Sequence, residues 1–254
     1  MTRISRLSVN NLNMSFGGLK VIQDLSFHVE KGQVTALIGP NGAGKTTAFN
    51  LISGALQPVS GSVLIDGQDI THTPSRERIY YGVARSFQNI RLMPHLTVFE
   101  NLLLGQHPTL SGGFTALLKP FRLLRNCPWR TSINEALEEY GLADRANDTV
   151  SSLPYGLRKR IDLIRAVLAS PKLLLLDEPA AGLNPSETTQ LLEHLQKVRA
   201  KGVDLLVIEH DMSFIKRLCD RVIVLNFGQK IAEGSLTEIQ QNQQVREAYL
   251  GTAA

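Results

Sequence analysis

Residues 39–47 carry the clearest chemistry in the sequence, because they read Gly-Pro-Asn-Gly-Ala-Gly-Lys-Thr-Thr and fit the pattern G-x-x-x-x-G-K-[ST]. The glycines let the backbone wrap an anion with its N–H groups pointing inward. Lys45 is placed to reach the β- and γ-phosphates of a nucleotide, and the Thr46 hydroxyl to ligate Mg²⁺. The sequence therefore predicts a phosphate loop for a nucleoside triphosphate with magnesium. Its residues are Gly39, Pro40, Asn41, Gly42, Ala43, Gly44, Lys45, Thr46 and Thr47.

A second acidic site follows far along the chain. Four leucines at 173–176 predict a strand buried on both faces, and Asp177 ends it. Ligands bind at the carboxyl ends of parallel strands, so we expect Asp177 to hold Mg²⁺ and Glu178 to polarise the attacking water. The alternative is an acidic strand end beside the turn residue Pro179, with no catalytic role.

His210 ends the next apolar run, residues 204–209, and should emerge at the same edge of the sheet. An imidazole there would contact the γ-phosphate and sense hydrolysis. A structural histidine at a strand end is the alternative. Gln88 lies in a polar stretch and carries a weak signal of its own.

The elements that must position these residues can be read from periodicity and turn signals. Residues 33–38 predict a strand that leads into the phosphate loop, and 46–52 a helix whose N-terminus adds its positive dipole end. Strands are also predicted for residues 1–35, 63–65 and 221–225, the last paired with 230–232 as an edge hairpin. Repeated glycine turns before residue 67 suggest that the N-terminal strands form a meander.

Helices are predicted at 98–104, 132–140 and 157–169, as a helical block inserted into an α/β core. A further helix should run from Pro185 to about residue 200, with Asn184 as its N-cap and Glu187 completing a capping box. The order strand, helix, strand implies right-handed crossovers and a parallel sheet.

Composition excludes several other classes. The chain has 254 residues, a formal charge of +4 and a pI near 9.1, which is too weakly basic to argue for nucleic acid. Cys127 and Cys219 show no metal-ligand spacing, and no apolar run is long enough to span a bilayer. We therefore expect a protein kept in the reducing cytosol.

Taken in order, these motifs resemble those of the ABC-type ATPases: the phosphate loop, Ser86-Phe87-Gln88, the segment 153–157, the strand ending at Asp177, and His210. The resemblance implies one ABC ATPase domain over 1–254. Its P-loop core, with a mixed sheet and an antiparallel N-terminal β subdomain, would cover 1–87 and 166–254. An inserted helical subdomain would cover 88–165 and include the signature segment. The signature residues are Leu153, Pro154, Tyr155, Gly156 and Leu157.

The resemblance also implies partners and roles. Two ATPase subunits would pair head to tail, with ATP and Mg²⁺ between the phosphate loop of one and the signature of the other. Gln88 would be a catalytic and metal-contacting residue that links the site to the helical block and to transmembrane permease subunits. Phe16 would stack on the adenine. A core aromatic on a strand is the alternative for Phe16.

Within that family the chain looks most similar to the ATP-binding subunits of branched-chain amino acid importers. The resemblance rests on residues 14–18, 86–92, 177–185, 208–212 and 248–251. It implies a peripheral ATPase on the cytoplasmic side of the inner membrane, which powers uptake of hydrophobic amino acids. A periplasmic substrate-binding protein would be an indirect partner.

The signature departs from the general Leu-Ser-Gly-Gly-Gln pattern. Pro154 and Tyr155 replace the serine and the first glycine, and Leu157 replaces the glutamine. Asn184 stands where many relatives carry aspartate. The missing hydroxyl favours a pair of two different ATPase chains, since an asymmetric pair tolerates one weakened site. Backbone N–H groups near Gly156 would still contact phosphate.

Three alternatives remain at this point: a related exporter ATPase, for instance for lipopolysaccharide; an ABC ATPase without a transporter; and a GTP-binding switch. The single domain without sustained heptads disfavours the second, and the absence of an Asn-Lys-x-Asp-like motif disfavours the third. The segment 105–131 contains an apolar stripe with basic residues nearby, which predicts either a membrane or partner contact or a plain surface loop.

Overall fold

The computed structural model describes residues 5–86, 90–106 and 129–250. Ten strands and eight α-helices lie in these residues, together with three short 3₁₀ helices. The strands are β1 Ser5–Phe16, β2 Leu19–Glu30, β3 Val34–Ile38, β4 Ser60–Ile65, β5 Gln68–Asp69, β6 Val83–Ser86, β7 Leu173–Asp177, β8 Asp204–Ile208, β9 Arg221–Asn226 and β10 Gln229–Gly234. The helices are α1 Lys45–Ile52, α2 Val98–Gly105, α3 Trp129–Glu139, α4 Tyr155–Leu168, α5 Pro185–Ala200, α6 Met212–Leu218, α7 Leu236–Gln241 and α8 Gln243–Leu250.

Two sheets organise the described part of the chain. The first is antiparallel, in the order β2-β1-β4-β5, and the second has the order β10-β9-β3-β8-β7-β6. Strands β9, β3, β8, β7 and β6 run parallel, and β10 adds an antiparallel edge strand through a hairpin with β9. The predicted fold class, an α/β core with a mixed sheet and an antiparallel N-terminal β subdomain, is confirmed.

The predicted N-terminal meander is wrong. Strand β4 pairs with β1 rather than continuing beside β2, because β3 leaves for the other sheet and α1 follows it. Alternation along a strand fixes which face is buried, but it does not select the neighbouring strand.

The central strands of the large sheet are buried on both faces, as their apolar sequences require. In β7, Leu173 and Leu175 pack towards α1 and the antiparallel sheet, whereas Leu174 and Leu176 pack towards the helices α2 to α5. Every residue of β3, β7 and β8 is buried. This rigid sheet therefore presents its carboxyl edge as a fixed platform for the loops that follow each strand.

The predicted capping box of α5 is confirmed. The Asn184 side chain accepts from the Glu187 backbone N–H at 2.9 Å, and the Glu187 carboxylate accepts from the Asn184 N–H at 2.9 Å. Two N–H groups that the helix itself leaves without a partner are thereby satisfied. The boxes at the starts of α2 and α7, formed by Thr97 and Ser235, have the same form.

Candidate active site: a phosphate loop and two acidic strand ends

The phosphate loop joins the carboxyl end of β3 to the start of α1, and packing dictates two of its glycines. Gly39 has a φ of +152°, and a Cβ there would lie 2.1 Å from the Leu225 carbonyl oxygen. Gly44 has a φ of +98°, and a Cβ there would lie 2.8 Å from Ile22 Cδ1. Neither position admits a side chain without movement of its neighbours, so only glycine lets the loop pack this closely on β9 and β2.

The N-terminus of α1 suits an anion. Gly44 is the N-cap and supplies no side-chain cap, and no acidic residue lies in the first turn. The N–H groups of a first helical turn have no partner within the helix, and the helix dipole places positive potential there. The loop is also tightly turned, with the Ala43 N–H donating to the Pro40 carbonyl at 3.1 Å. These features fit the phosphates of a nucleotide.

Lys45 folds back across this loop. Its Nζ donates to the carbonyl oxygens of Gly39 at 2.6 Å and Pro40 at 2.9 Å. Burial lowers the pKa of Lys45, while the negative charges of Glu178 and Asp177 act in the opposite direction. The Lys45 ammonium group is therefore held at the phosphate loop, close enough to Glu178 and Asp177 for their charges to act on it.

Asp177 is the last residue of β7 and pairs in register with Ile208 of β8. The carboxylate is buried, and its Oδ2 accepts from Arg85 Nη2 at 2.8 Å. Arg85 also donates to Asn50 Oδ1 at 2.7 Å and to Ser53 Oγ at 3.2 Å. One guanidinium therefore orients Asp177 and joins β6 and β7 to α1, the helix that begins at the phosphate loop.

Glu178 and His210 follow the neighbouring strands β7 and β8, and the structure places both beyond the same sheet edge. Glu178 adopts a left-handed φ of +48°, and its N–H donates to the Ile208 carbonyl at 2.9 Å. The His210 side chain is 74% exposed, with Nδ1 3.7 Å from Glu209 Oε2. The His210 imidazole is exposed at the same edge of the sheet as the phosphate loop, so it is available to a ligand. The catalytic roles of both residues stay predictions.

The segment 153–157 forms the start of α4. Leu153 is buried, Pro154 is the N-cap, and Tyr155 begins the helix. A Cβ on Gly182 would lie 3.0 Å from Tyr155 Cε1, so the ring rests on that glycine. A Cβ on Gly156 would lie 2.2 Å from a Glu187 carboxylate oxygen.

The first turn of α4 thus packs directly on the start of α5. The predicted backbone donors at Gly156 and the first turn of α4 lie together at one helix N-terminus.

Phe16 ends β1 at the tip of the β1–β2 hairpin and is 45% exposed, which excludes the alternative of a core aromatic. Strand β2 passes close to the phosphate loop, since a Cβ on Gly44 would lie 3.0 Å from the Val21 carbonyl oxygen. Stacking of Phe16 on adenine stays a prediction. Gln88 and the apolar stripe of the segment 105–131 lie outside the described residues.

Magnesium fits the oxygen donors of this site. Thr46 offers a hydroxyl and Asp177 a carboxylate, and Mg²⁺ takes one or two such ligands together with substrate phosphates and water. No group of three or more His, Cys, Asp or Glu side chains that could hold a metal occurs in the described residues. An ion bound by Thr46 and Asp177 would therefore retain several waters.

Three residues of the site were missed by sequence reasoning: Arg85, Lys159 and Glu209. Glu209 carried the same signal as Asp177, an acidic residue at the end of a buried apolar strand. Arg85 and Lys159 carried no local signal, since their partners are carbonyls and carboxylates brought near by the fold.

None of the helices in the described ranges is both long and apolar enough to cross a bilayer.

A phosphate loop, acidic ends of parallel strands and a mixed sheet define a P-loop nucleotide-binding protein. A family model described as ABC transporter matches residues 22–181, and a second, described as branched-chain amino acid ATP-binding cassette transporter, matches 229–254. The chain belongs to the ABC transporter family, as an ATP-binding cassette ATPase.

Curated relatives match over nearly the whole chain. The high-affinity branched-chain amino acid transport ATP-binding protein BraF of Pseudomonas aeruginosa is 41% identical over 97% of this chain and 98% of its own length. LivG of Escherichia coli K12, described in the same words, is 41% identical over the same shares. The lipopolysaccharide export system ATP-binding protein LptB of Escherichia coli K12 is 31% identical over 98% of both chains.

Solved structures agree with the fold. A nucleotide-free ATP-binding cassette from an ABC transporter superposes with a TM-score of 0.86 at 31% identity, covering 97% of this chain and 99% of that one. The ADP conformation of an ATP-binding cassette matches with the same values. The ADP conformation of that cassette agrees with a nucleotide site at the phosphate loop.

Proposed function

We propose that this protein is the ATP-hydrolysing subunit of an importer for branched-chain or other hydrophobic amino acids. The observation that carries the substrate class is the C-terminal match at 229–254 to the branched-chain model, which agrees with the 41% identity to BraF over 97% of the chain. That C-terminal region borders the phosphate loop, because Gln244, Glu247 and Ala248 of α8 line a cavity together with Pro40 and the following loop residues.

The proposed reaction is transfer of the γ-phosphoryl group of ATP to water. Lys45 and the N–H groups at the start of α1 would stabilise the charge on the phosphate oxygens. Glu178 would accept the proton of the attacking water, and His210 would contact the γ-phosphate. Thr46 and Asp177 would hold Mg²⁺, and Gln88 would contact it. The ion would supply positive charge that offsets the negative charge of the phosphate oxygens.

Hydrolysis would require a second ATPase subunit, homologous or identical. In a head-to-tail pair, the N-terminus of α4 in one chain would close on nucleotide bound at the phosphate loop of the other. The replacement of the signature serine by Pro154 removes a hydroxyl from this contact, which favours a pair of two different chains. Backbone donors near Gly156 would still serve it. Phe16 would stack on the adenine of the nucleotide bound to its own chain.

The helical block 88–165 would pass dimer closure to transmembrane permease subunits, and 1–87 with 166–254 would form the nucleotide-binding core. The protein would then lie peripherally on the cytoplasmic side of the inner membrane, with a periplasmic substrate-binding protein as an indirect partner. No nucleic-acid partner is proposed.

The test of this function is uptake in the organism that encodes the chain. Its chromosomal copy is replaced by Glu178→Gln, and entry of labelled leucine, isoleucine and valine is measured beside lysine. We expect loss of the branched-chain uptake with lysine unchanged. Normal uptake of all four would contradict the proposal, and altered surface lipopolysaccharide with normal uptake would support the exporter alternative suggested by the 31% identity to LptB.

A further inference from the structure

Glu209 is a buried carboxylate at the carboxyl end of β8 to which the proposed function gives no role. Its side chain is 1% exposed. Oε1 accepts from the Ala180 N–H at 2.9 Å, and Oε2 accepts from the His210 N–H at 2.9 Å and the Asp211 N–H at 3.4 Å. One carboxylate therefore ties together the loops after β7 and β8, which carry Glu178 and His210.

Lys159 approaches the loop after β7 from the other side. It lies in the second turn of α4, and its Nζ donates to the carbonyl oxygens of Glu178 and Pro179, both at 3.0 Å. The same Nζ lies 5.6 Å from the ring centroid of Tyr155. Burial lowers the pKa of Lys159, and the charge of Glu209 is the strongest of the neighbouring charges that oppose this shift.

Residues 178–180, which Lys159 and Glu209 contact, need such support. Glu178 has a left-handed φ of +48°, a conformation that a residue with a side chain keeps only where its surroundings hold it. Lys159 holds the two carbonyls of residues 178 and 179, and Glu209 holds the N–H of residue 180. Opposite charges thus secure two consecutive peptide groups, and the second of them is held through both its carbonyl and its N–H.

We infer that Lys159 and Glu209 are positioning residues that fix the Glu178 carboxylate for water activation, with Glu209 also fixing His210. This inference rests on the proposed role of Glu178. We call the two residues the clamp. Because Lys159 lies one turn beyond Tyr155, the clamp also joins the signature helix to the loop that carries Glu178 of the same chain.

A structural role alone would make Glu209 a buried acceptor whose loss costs stability and nothing else. Asp204 offers the matched control, since it is a buried carboxylate at the opposite end of the same strand. It accepts from the Gly32 N–H at 2.7 Å and from Arg6 Nε at 2.6 Å, away from the site. In Glu209→Gln and Asp204→Asn, one carboxylate oxygen is replaced by an amide NH₂ group, which donates and cannot accept a hydrogen bond.

The first experiment compares these two variants in ATP affinity, turnover, melting temperature and amide hydrogen exchange. We expect Glu209→Gln to reduce kcat by about tenfold to a hundredfold, because a misplaced catalytic group costs that much, while ATP affinity stays within about twofold of wild type. Exchange should speed up in both 177–183 and 208–213. Asp204→Asn should lower the melting temperature with kcat unchanged.

Turnover of Glu209→Gln equal to that of Asp204→Asn would overturn the inference, as would unchanged exchange in the two loops. The exchange measurement needs no hydrolysis. A wild-type chain that does not bind ATP would therefore count against the proposed function, while exchange in the two loops would still test the clamp.

The second experiment uses Lys159. Lys159→Met should lower kcat, and Lys159→Arg should restore most of it because an arginine still donates to two carbonyls. Lys197→Met is the control, since Lys197 also donates to a carbonyl, that of Glu139, but on the exposed side of α5. When Lys159→Met and Glu209→Gln are combined in one double variant, the losses in kcat of the two single variants should overlap. Losses in kcat that multiply fully would overturn a shared positioning role.

Discussion

The guanidinium of Arg85 donates to the carboxylate of Asp177 across 2.8 Å, at the junction of β6, β7 and the helix behind the phosphate loop. Both side chains are about nine-tenths buried. Asp177, which is proposed to bind magnesium, therefore already has a cationic partner. Its orientation is set by Arg85, which precedes Gln88 by three positions. Arg85 also lies over the Phe49 ring, at 5.8 Å from its centroid.

Removal of Arg85 should be costly, since it leaves a buried carboxylate without its charge partner. We expect Arg85→Met to lower the free energy of unfolding by about 3 kcal/mol, measured by urea denaturation. The control is Arg76→Met, which breaks the exposed pair with Glu77 and should change stability by less than about 0.5 kcal/mol. Equal stability of the two variants would show that Asp177 does not depend on Arg85.

The role of Gly156 in the signature segment can be tested separately from the capping box of α5, on which it packs. A methyl group at Gly156 meets the flexible end of Glu187, so Gly156→Ala should fold but displace the Glu187 carboxylate from the capping box, at about 1 kcal/mol. Glu187→Ala removes the same cap and keeps the glycine. If the α4 N-terminus contacts a partner's phosphate, Gly156→Ala loses turnover and Glu187→Ala keeps it. Similar turnover in both would contradict that contact.

The lowered pKa of His194 should make the free energy of unfolding depend on pH. Burial lowers its pKa to about 4, and the charges of Arg160 and Lys197 act in the same direction, against Glu139. Since the unfolded chain has a pKa near 6.5, it binds more protons than the folded chain between pH 6.5 and 4. Stability should therefore fall as the pH falls through that window, by on the order of 2 kcal/mol.

The variant His194→Gln has no proton to take up and should show a flatter dependence over the same window in urea denaturation. The same substitution at the exposed His72 is the control and should leave the wild-type slope. A wild-type slope in His194→Gln would mean that other groups produce the pH dependence.

Local chemistry explains what the sequence could predict. Strands β7 and β8 were predictable because runs of apolar residues end in Asp177 and Glu209, and α5 because Asn184 and Glu187 cap it through neighbours three residues apart. The phosphate loop was predictable because Gly39 and Gly44 adopt backbone conformations that few other residues tolerate.

The unpredicted features depend on tertiary arrangement. Arg85 meets Asp177 only because β6 and β7 align in a particular register, and the two residues are 92 positions apart. Lys159 meets the Glu178 carbonyl only when α4 packs beneath that loop. Strand partners follow the same rule: nothing in the alternation of β4 says that it pairs with β1.

The central claim is that Glu178 activates water for ATP hydrolysis at the loop 39–47. The most direct test measures ATP binding and turnover of the purified chain and its Glu178→Gln variant over a range of protein concentrations. We predict that the variant binds ATP as the wild type does and loses turnover by about a hundredfold or more, the effect expected for loss of a general base. Hydrolysis by Glu178→Gln at the wild-type rate would contradict the claim.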